Sequence, residues 1–322
     1  MPRVSLIVPA YNTLASLPET VDSLLGQTFT DFELLIVDDG STDGTAEWVL
    51  AQSDSRIRLV RQLNRGLAGA RNGGIAEAQG EYLGFCDGDD LWEPTKLETH
   101  VAYLDQNNTV GLTYSGSVLI DINGASMGMW QKPKKGVVTP RDILLRNPIG
   151  NGSSPVIRRQ ALDDVAFRPS GESRDWWFDE TFRQSEDIEC WMRIALTTRW
   201  EISGVSDPLT KYRIISSGLS ANLIKQYESW CRVASRIMEI EPSFARANLP
   251  AARAYQLRYL ARRAVTLSDG QSALRLMLDS AKSSLRPFVH EPVKTLTTLA
   301  AAIVLSLGGQ RIIKMALSGR QT

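Results

Sequence analysis

The chain of 322 residues is 43% hydrophobic and 22% charged. That ordinary globular balance excludes a disordered chain, a collagen-like repeat and a small disulfide scaffold. Its 36 basic and 36 acidic residues give no global charge that would argue for a nucleic-acid partner. The balance hides an asymmetry: residues 222–322 hold 15 Lys/Arg against 6 Asp/Glu, a net of +9, and residues 1–221 carry −9. An acidic body suggests a cation site, and a basic tail suggests an anionic partner. The three cysteines, Cys86, Cys190 and Cys231, form no C-x-x-C, so neither a zinc site nor a disulfide framework is expected. With only His100 and His290, a histidine-based mechanism is disfavoured, and His100 reads as a surface residue. The start, Met1-Pro2-Arg3-Val4-Ser5, runs into a strand pattern without a signal-peptide profile, so a reducing cytoplasm is the expected location.

In chain order, Val4–Val8, Phe32–Val37, Ile57–Val60 and Tyr82–Cys86 are short β-branched or aromatic runs that read as strands. Between them Leu14–Gly26, Asp43–Gln52 and Leu67–Gln79 read as helices, with Asp43 and Thr45 as caps and Gly26 and Gly80 as stops. This alternation predicts an α/β fold, a mainly parallel sheet with right-handed crossovers and helices on both faces. Residues 110–120 form another strand-like run, Gln131–Gly136 reads as an exposed loop, and 139–221 mix short helices and strands. From about residue 222 the pattern is helical throughout, over Ala251–Leu267, Gly270–Leu285 and Val293–Leu317. The expected organisation is two halves of one α/β domain, 1–105 and 106–221, followed by a helical region, 222–322.

Ligands of an open parallel sheet bind at the carboxyl ends of its strands. Those ends carry Pro9-Ala10-Tyr11-Asn12, Asp38-Asp39-Gly40-Ser41 and Asp87-Gly88-Asp89-Asp90. Five carboxylates at one edge repel unless a cation or hydrogen-bond donors sit among them. Hard cations such as Mg²⁺ and Mn²⁺ take one or two carboxylates and complete their shell with phosphate oxygens, which points to a metal bound together with a diphosphate. No glycine-rich phosphate loop is present: Pro9 and Tyr11 stand where a dinucleotide fold needs glycines, and no G-x-x-x-x-G-K-[ST] occurs. Arg71, in Ala70-Arg71-Asn72, is a candidate anion contact.

These motifs, with Asn64-Arg65-Gly66 and the later Phe178-Asp179-Glu180-Thr181, Glu186-Asp187 and Arg193, occur in the order and spacing of family 2 glycosyltransferases. The chain resembles that family over about residues 3–220. The resemblance implies a GT-A fold and an inverting, metal-dependent transfer of a sugar from a nucleotide-diphosphate donor, UDP-linked, to a hydroxyl of a saccharide or lipid-linked acceptor. Bacterial surface-polysaccharide assembly is the implied setting. Carried over, the donor-binding residues are Pro9, Tyr11, Asp39, Arg71, Asp87 and Gly88. Asp89 becomes the ligand of a divalent metal, Mn or Mg, and Asp187 the general base, with Glu186 beside it. An inverting transfer needs such a base for the acceptor proton and a cation for the departing diphosphate.

Two departures from the family pattern stand out. Tyr212-Arg213 is followed by Ile214-Ile215-Ser216-Ser217, without the histidine common in the family, which leaves Arg213, Ser217 or Lys211 as diphosphate contacts. The segment Arg168–Trp177 looks inserted, and Trp176 and Trp177 suit either stacking on an acceptor sugar or core packing. In the tail, Thr295–Gln310 is uncharged yet too short to span a bilayer as a helix. Its Leu296, Leu299, Ile303 and Leu307 share one face. Core packing is slightly favoured for that helix, and peripheral contact of the basic tail with an anionic membrane at the inner face of the cell stays open. The competing functions are a nucleotidyltransferase, which would want a basic residue in the first turn, and a degenerate nucleotide-sugar-binding scaffold.

Overall fold

The computed structural model describes residues 1–134, 136–215 and 223–308. The chain runs β1 (Val4–Ala10), α1 (Leu17–Leu25), β2 (Phe32–Asp38), α2 (Thr45–Leu50), β3 (Ile57–Arg61), α3 (Gly66–Glu77), β4 (Tyr82–Phe85), β5 (Leu91–Trp92) and α4 (Lys96–Gln106). It continues with β6 (Val110–Ile120), β7 (Ser126–Gln131), β8 (Gly136–Val138), α5 (Pro140–Arg146), β9 (Pro155–Arg158), α6 (Arg159–Asp163), α7 (Glu186–Thr197) and β10 (Glu201–Arg213). Helices follow: α8 (Leu223–Ile240), α9 (Pro242–Thr266), α10 (Gly270–Ser283), α11 (Arg286–His290) and α12 (Pro292–Ser306). Among the described residues there are two compact units. One holds the strands; the other holds Leu144–Arg146 and the helices from Leu223 onward.

The first unit is built on one sheet of order β3-β2-β1-β4-β9-β6-β10-β5, with β7 beside β6 and β8 beside β10. β3, β2, β1 and β4 pair in parallel, as do β6 and β10, whereas β9 is antiparallel to both its neighbours. The parallel expectation therefore describes the first half, and the second half mixes directions. β1 and β2 are buried along their whole length, as strands covered on both faces must be. The polar exceptions are paired: Ser5 Oγ donates to Glu33 Oε1 at 2.7 Å and accepts from the Gly80 amide at 2.8 Å. A Cβ on Gly80 would stand 2.5 Å from the Ser5 nitrogen, so only glycine fits there.

α3 carries four glycines, Gly66, Gly69, Gly73 and Gly74, each of which weakens a helix. Packing explains it. Residues Ala68–Ile75 are buried, and a Cβ on Gly74 would lie 2.4 Å from Ile7 Cγ2. Gly74 lets α3 lie close on β1 and β2, Gly69 leaves room for Arg65 and Glu180 and Gly73 for Gln62, and Arg71 and Asn72 are buried within the unit. His100 corrects an expectation: it is fully buried in α4, not on the surface. Cys86 and Cys190 are buried as small apolar side chains, in line with the expectation.

The second unit packs through small residues. Ala264, Ala273 and Ala302 are fully buried, and a Cβ on Gly270 would meet the Ser306 nitrogen at 2.4 Å. α12 turns Thr295, Thr298, Ala302 and Leu305 inward, and Arg258 Nη1 donates to Thr295 Oγ1 at 2.7 Å. Glu291 gathers the guanidinium groups of Arg146 and Arg258. The leucine-bearing face of α12 is thus not the core face: Leu296, Ile303 and Leu307 are exposed. The inward face meets Gly270 of α10 through Leu305 and the Ser306 nitrogen. The expected helix beyond residue 308 lies outside the described residues. Among these, no helix is long and apolar enough to cross a membrane.

Candidate active site

β1, β2 and β4 are parallel neighbours, so their C-terminal loops share one edge. Tyr11 follows β1 and is 53% exposed. Its neighbour Asn12, at φ 53°, accepts from the Thr42 amide at 2.8 Å and donates its own amide to Ser41 Oγ at 3.0 Å. Asp43 ties the same loops, accepting from the Leu14 amide and from Thr45. Gly88 lies against β1: a Cβ there would stand 3.2 Å from the Pro9 carbonyl oxygen. Ser16 Oγ donates to the Gly88 carbonyl at 2.8 Å. Pro9, Tyr11, Gly88 and the Asp38–Ser41 turn therefore form one floor.

The five carboxylates of this edge have different fates. Asp38 accepts from the Ser41 amide and lies 3.5 Å from Arg61 Nε. Asp39 accepts from Gln62 Nε2 and from the amides of Arg65 and Gly66, at 2.7–2.9 Å, and so shapes the turn into α3. Asp87 Oδ1 accepts from Arg71 Nη2 at 2.8 Å. Asp90, fully buried, accepts from Ser153 Oγ at 2.6 Å and the Arg213 amide at 2.9 Å. Burial, with the charges of Asp89 and Asp87, holds its carboxyl well above the usual range. Of the five, only the Asp89 carboxylate receives no hydrogen bond from another described residue, and burial with the Asp87 charge pushes it up to about 6. No three metal-ligating side chains converge among the described residues. The donor set is one free carboxylate beside the half-engaged Asp87, an open oxygen site that fits a hard divalent cation keeping phosphate oxygens in its shell.

Arg71 joins this edge to α7. Its guanidinium is buried, donating through Nη1 to Glu186 Oε1 at 2.6 Å and through Nη2 to Asp87. Burial would lower its pKa, but Asp87, Glu186 and Asp187 outweigh that and hold it above its ordinary value. Asp187, in the first turn of α7, is half-buried and accepts its own neighbour's amide, that of Ile188, at 2.7 Å. Burial and the adjacent Glu186 raise its carboxyl to about 7, with Arg71 opposing. A carboxylate poised there suits a general base at neutral pH.

The description "Glycosyl transferase family 2" matches residues 5–166 of this chain. The glucosyltransferase WfgD of Escherichia coli, named as acting from UDP-Glc on alpha-D-GlcNAc-diphosphoundecaprenol, is 32% identical over 69% of this chain and 81% of its own. The chain belongs to glycosyl transferase family 2. An uncharacterized glycosyltransferase of Rickettsia bellii is 30% identical over 66% of this chain but only 29% of its own length. Two solved structures share the transferase's fold. TarS 1–349 of S. aureus, in complex with UDP, has a TM-score of 0.61 at 21% identity, covering 96% of this chain and 92% of that one. The mannosyltransferase PcManGT of Pyrobaculum calidifontis, with GDP-Man and Mn²⁺, has a TM-score of 0.59 at 22% identity, over 96% and 87%.

Several residues of the transferase stand elsewhere than the sequence suggested. Arg71 is a buried strut between carboxylates rather than an open anion contact, and Glu186 is its partner. Arg213 donates to the carbonyls of Asp89, Asp121 and Ile122 and to Glu19 Oε2, so it fixes the Asp89 loop from behind. Trp176 and Trp177 are 7% and 9% exposed. Trp176 packs edge-on to Phe167 and Trp177 donates to Asp163, leaving neither face for a sugar. Lys211 pairs with Glu93, and Ser217 lies outside the described residues.

Sequence reasoning passed over Lys96, which is fully buried. Its Nζ donates to Thr210 Oγ1 at 2.6 Å, the Ser154 carbonyl at 2.8 Å, and Ser115 Oγ and the Ser153 carbonyl at 3.2 Å. Ser153 Oγ in turn accepts from the Asp87 amide at 2.9 Å, which places the lysine directly beneath the acidic loop. Glu180 and Asn72 carry structural roles that their motifs do not reveal. Asn72 holds Trp177 and Phe178 by their amides, and Glu180 takes donors from Arg65, Asn72 and Arg174. No composition or periodicity marks these roles.

Proposed function

We propose that this glycosyltransferase moves a sugar, with inversion, from a UDP-sugar to a hydroxyl of a saccharide or lipid-linked acceptor. The observation that carries this reading is the Arg71 bridge, which holds the base candidate Asp187 beside the acidic edge that carries Asp89. WfgD is named for a UDP-sugar donor and a lipid-linked diphosphate acceptor, and TarS was solved with UDP; both support the donor class. Exposed Tyr11 offers a face for the nucleobase, and the Asp39 turn borders it. Asp87 and Asp89 would hold a divalent cation, Mn²⁺ or Mg²⁺, which when bound would offset the charge of the leaving diphosphate. Asp187 takes the acceptor hydroxyl's proton as its oxygen bonds to the anomeric carbon and the carbon–diphosphate bond breaks. The C-terminal helices make peripheral contact with an anionic membrane, where a lipid-linked acceptor resides.

Hydrolysis of a panel of nucleotide sugars, with Mn²⁺, with Mg²⁺ and with chelator, tests the reading. Metal-dependent release of UDP from a UDP-sugar is expected. Metal-independent turnover, or release of pyrophosphate from a sugar phosphate and a nucleoside triphosphate, would favour the nucleotidyltransferase alternative instead. Binding without any turnover would favour the degenerate scaffold.

A further inference from the structure

α12 divides cleanly into two faces. Thr295, Thr298, Ala302 and Leu305 are buried, while Val293, Leu296, Ile303 and Leu307 are 74, 55, 42 and 82% exposed and Ala300 is exposed between them. At 100° per residue the five exposed positions fall within a narrow stripe, opposite the buried set. Lys294 is the one charged residue of the helix. A stripe of bulky aliphatic side chains left in water is costly and marks a surface built to be covered.

Charge selects what covers it. The C-terminal region carries +9, and one of its few acids, Glu291, is already held by Arg146 and Arg258. Residues 309–322 add Arg311, Lys314 and Arg320 and no acid. Pairing two copies through this face would bring like charges together, whereas an anionic bilayer attracts the charge and takes up the apolar stripe. We infer that the exposed face of α12, centred on Leu296 and Ile303, is the membrane-inserting surface of the protein, lying in the headgroup layer parallel to the bilayer. This rests on the peripheral membrane contact proposed above and names the side chains that make it. The basic residues bring the protein to the surface in a salt-dependent way, and the stripe anchors it.

Flotation of the full chain with vesicles of phosphatidylcholine alone, or of phosphatidylcholine with phosphatidylglycerol, tests this at two salt concentrations. The wild type should float on the anionic vesicles at low salt. Leu296→Glu with Ile303→Glu should cut that partition at least about tenfold, with nucleotide-sugar hydrolysis unchanged as the control for folding. Leu278→Glu, at an exposed apolar position of α10, should float like wild type. Equal flotation of the double variant, or loss in Leu278→Glu instead, overturns the assignment of the face and leaves membrane contact standing. No flotation of the wild type on either vesicle overturns the membrane reading itself. A wild-type dimer in sedimentation that the double variant dissolves, without flotation, assigns the stripe to a second copy and overturns the inference.

Discussion

Arg71 and Glu186 form a buried ion pair, Nη1 to Oε1 at 2.6 Å, with side chains 2% and 5% exposed. The two residues lie 115 positions apart, on α3 and at the first turn of α7. Because the same guanidinium also holds Asp87, one side chain sets the spacing between the acidic edge of the sheet and the helix that carries Asp187. Phe178 supports it from one side, with its ring centroid 5.5 Å from the guanidinium carbon. Gly152 leaves room on another side, since a Cβ there would lie 2.3 Å from Nη2.

Removing that strut should be expensive. Arg71→Met leaves Glu186 buried without its counter-charge, and breaking a buried pair in this way costs about 3–5 kcal/mol. Arg71→Lys keeps the charge, but a single ammonium lacks the guanidinium fork that reaches two carboxylates at once. It should lose less stability and still lose turnover. Urea midpoints and hydrolysis rates for the two variants measure both effects. A Met variant that unfolds at the wild-type midpoint would rule out the strut.

Asp187→Asn should keep nucleotide-sugar affinity and lose transfer by roughly 10²–10⁴-fold, because an amide cannot accept the acceptor's proton. The pH dependence follows from the raised carboxyl, at about 7. Below that value the group is protonated and cannot act as a base, so kcat/KM should climb as pH rises through about 7 and then level off. A profile already flat from about pH 5 upward would place the base on an ordinary carboxylate instead.

Asp89→Ala removes the one carboxylate of the acidic edge that no other described residue hydrogen-bonds. It should weaken metal-dependent UDP binding together with turnover, because the diphosphate's charge is then poorly offset. The fold should survive, since no other described residue hydrogen-bonds that carboxylate. Calorimetry of UDP with Mn²⁺ decides, and unchanged binding in the variant would move the metal ligand elsewhere.

The first half of the fold was legible because β1, β2 and β4 are continuous apolar runs and their loops carry short, recognisable turns. Asp89 and Asp187 are candidates because the family motifs they match fall just after β4 and at the start of α7. The partners of Arg71 could not be read in this way. An arginine beside a row of aspartates reads as a phosphate contact until tertiary structure shows two carboxylates already bound to it. The tryptophans left two readings open for a related reason: Trp176 and Trp177 stand in a polar, glycine-containing segment, and core packing holds because Asn72 and Arg193 fasten that segment by its backbone. In α12 the leucines suggested the packed face, yet Thr295, Thr298 and Ala302 are buried beside Leu305 while Leu296, Ile303 and Leu307 stay exposed.

Lys96 offers a test that needs no substrate. Burial brings its ammonium down to about 7, with Cys86 and Asp90 opposing, and the neighbouring His100 is held neutral by its own burial. In the unfolded chain a lysine titrates near about 10.4. Between those values the unfolded state carries a proton that the folded state lacks, so the stability contributed by Lys96 should rise with pH, by up to about 1.4 kcal/mol per pH unit. Below about 7 both states are protonated and that slope disappears. Lys96→Met removes the titrating group while keeping the stem's volume, and the other ionisable groups largely cancel in the comparison. The difference in unfolding free energy, wild type minus variant, should therefore be flat below about pH 7 and climb above it. Urea denaturation of both proteins at several pH values from about 6 to 9 measures the curve. A difference that stays constant across the range would mean that Lys96 keeps its proton in the folded protein, held by Thr210, Ser115 and the two carbonyls beneath the Asp87 loop.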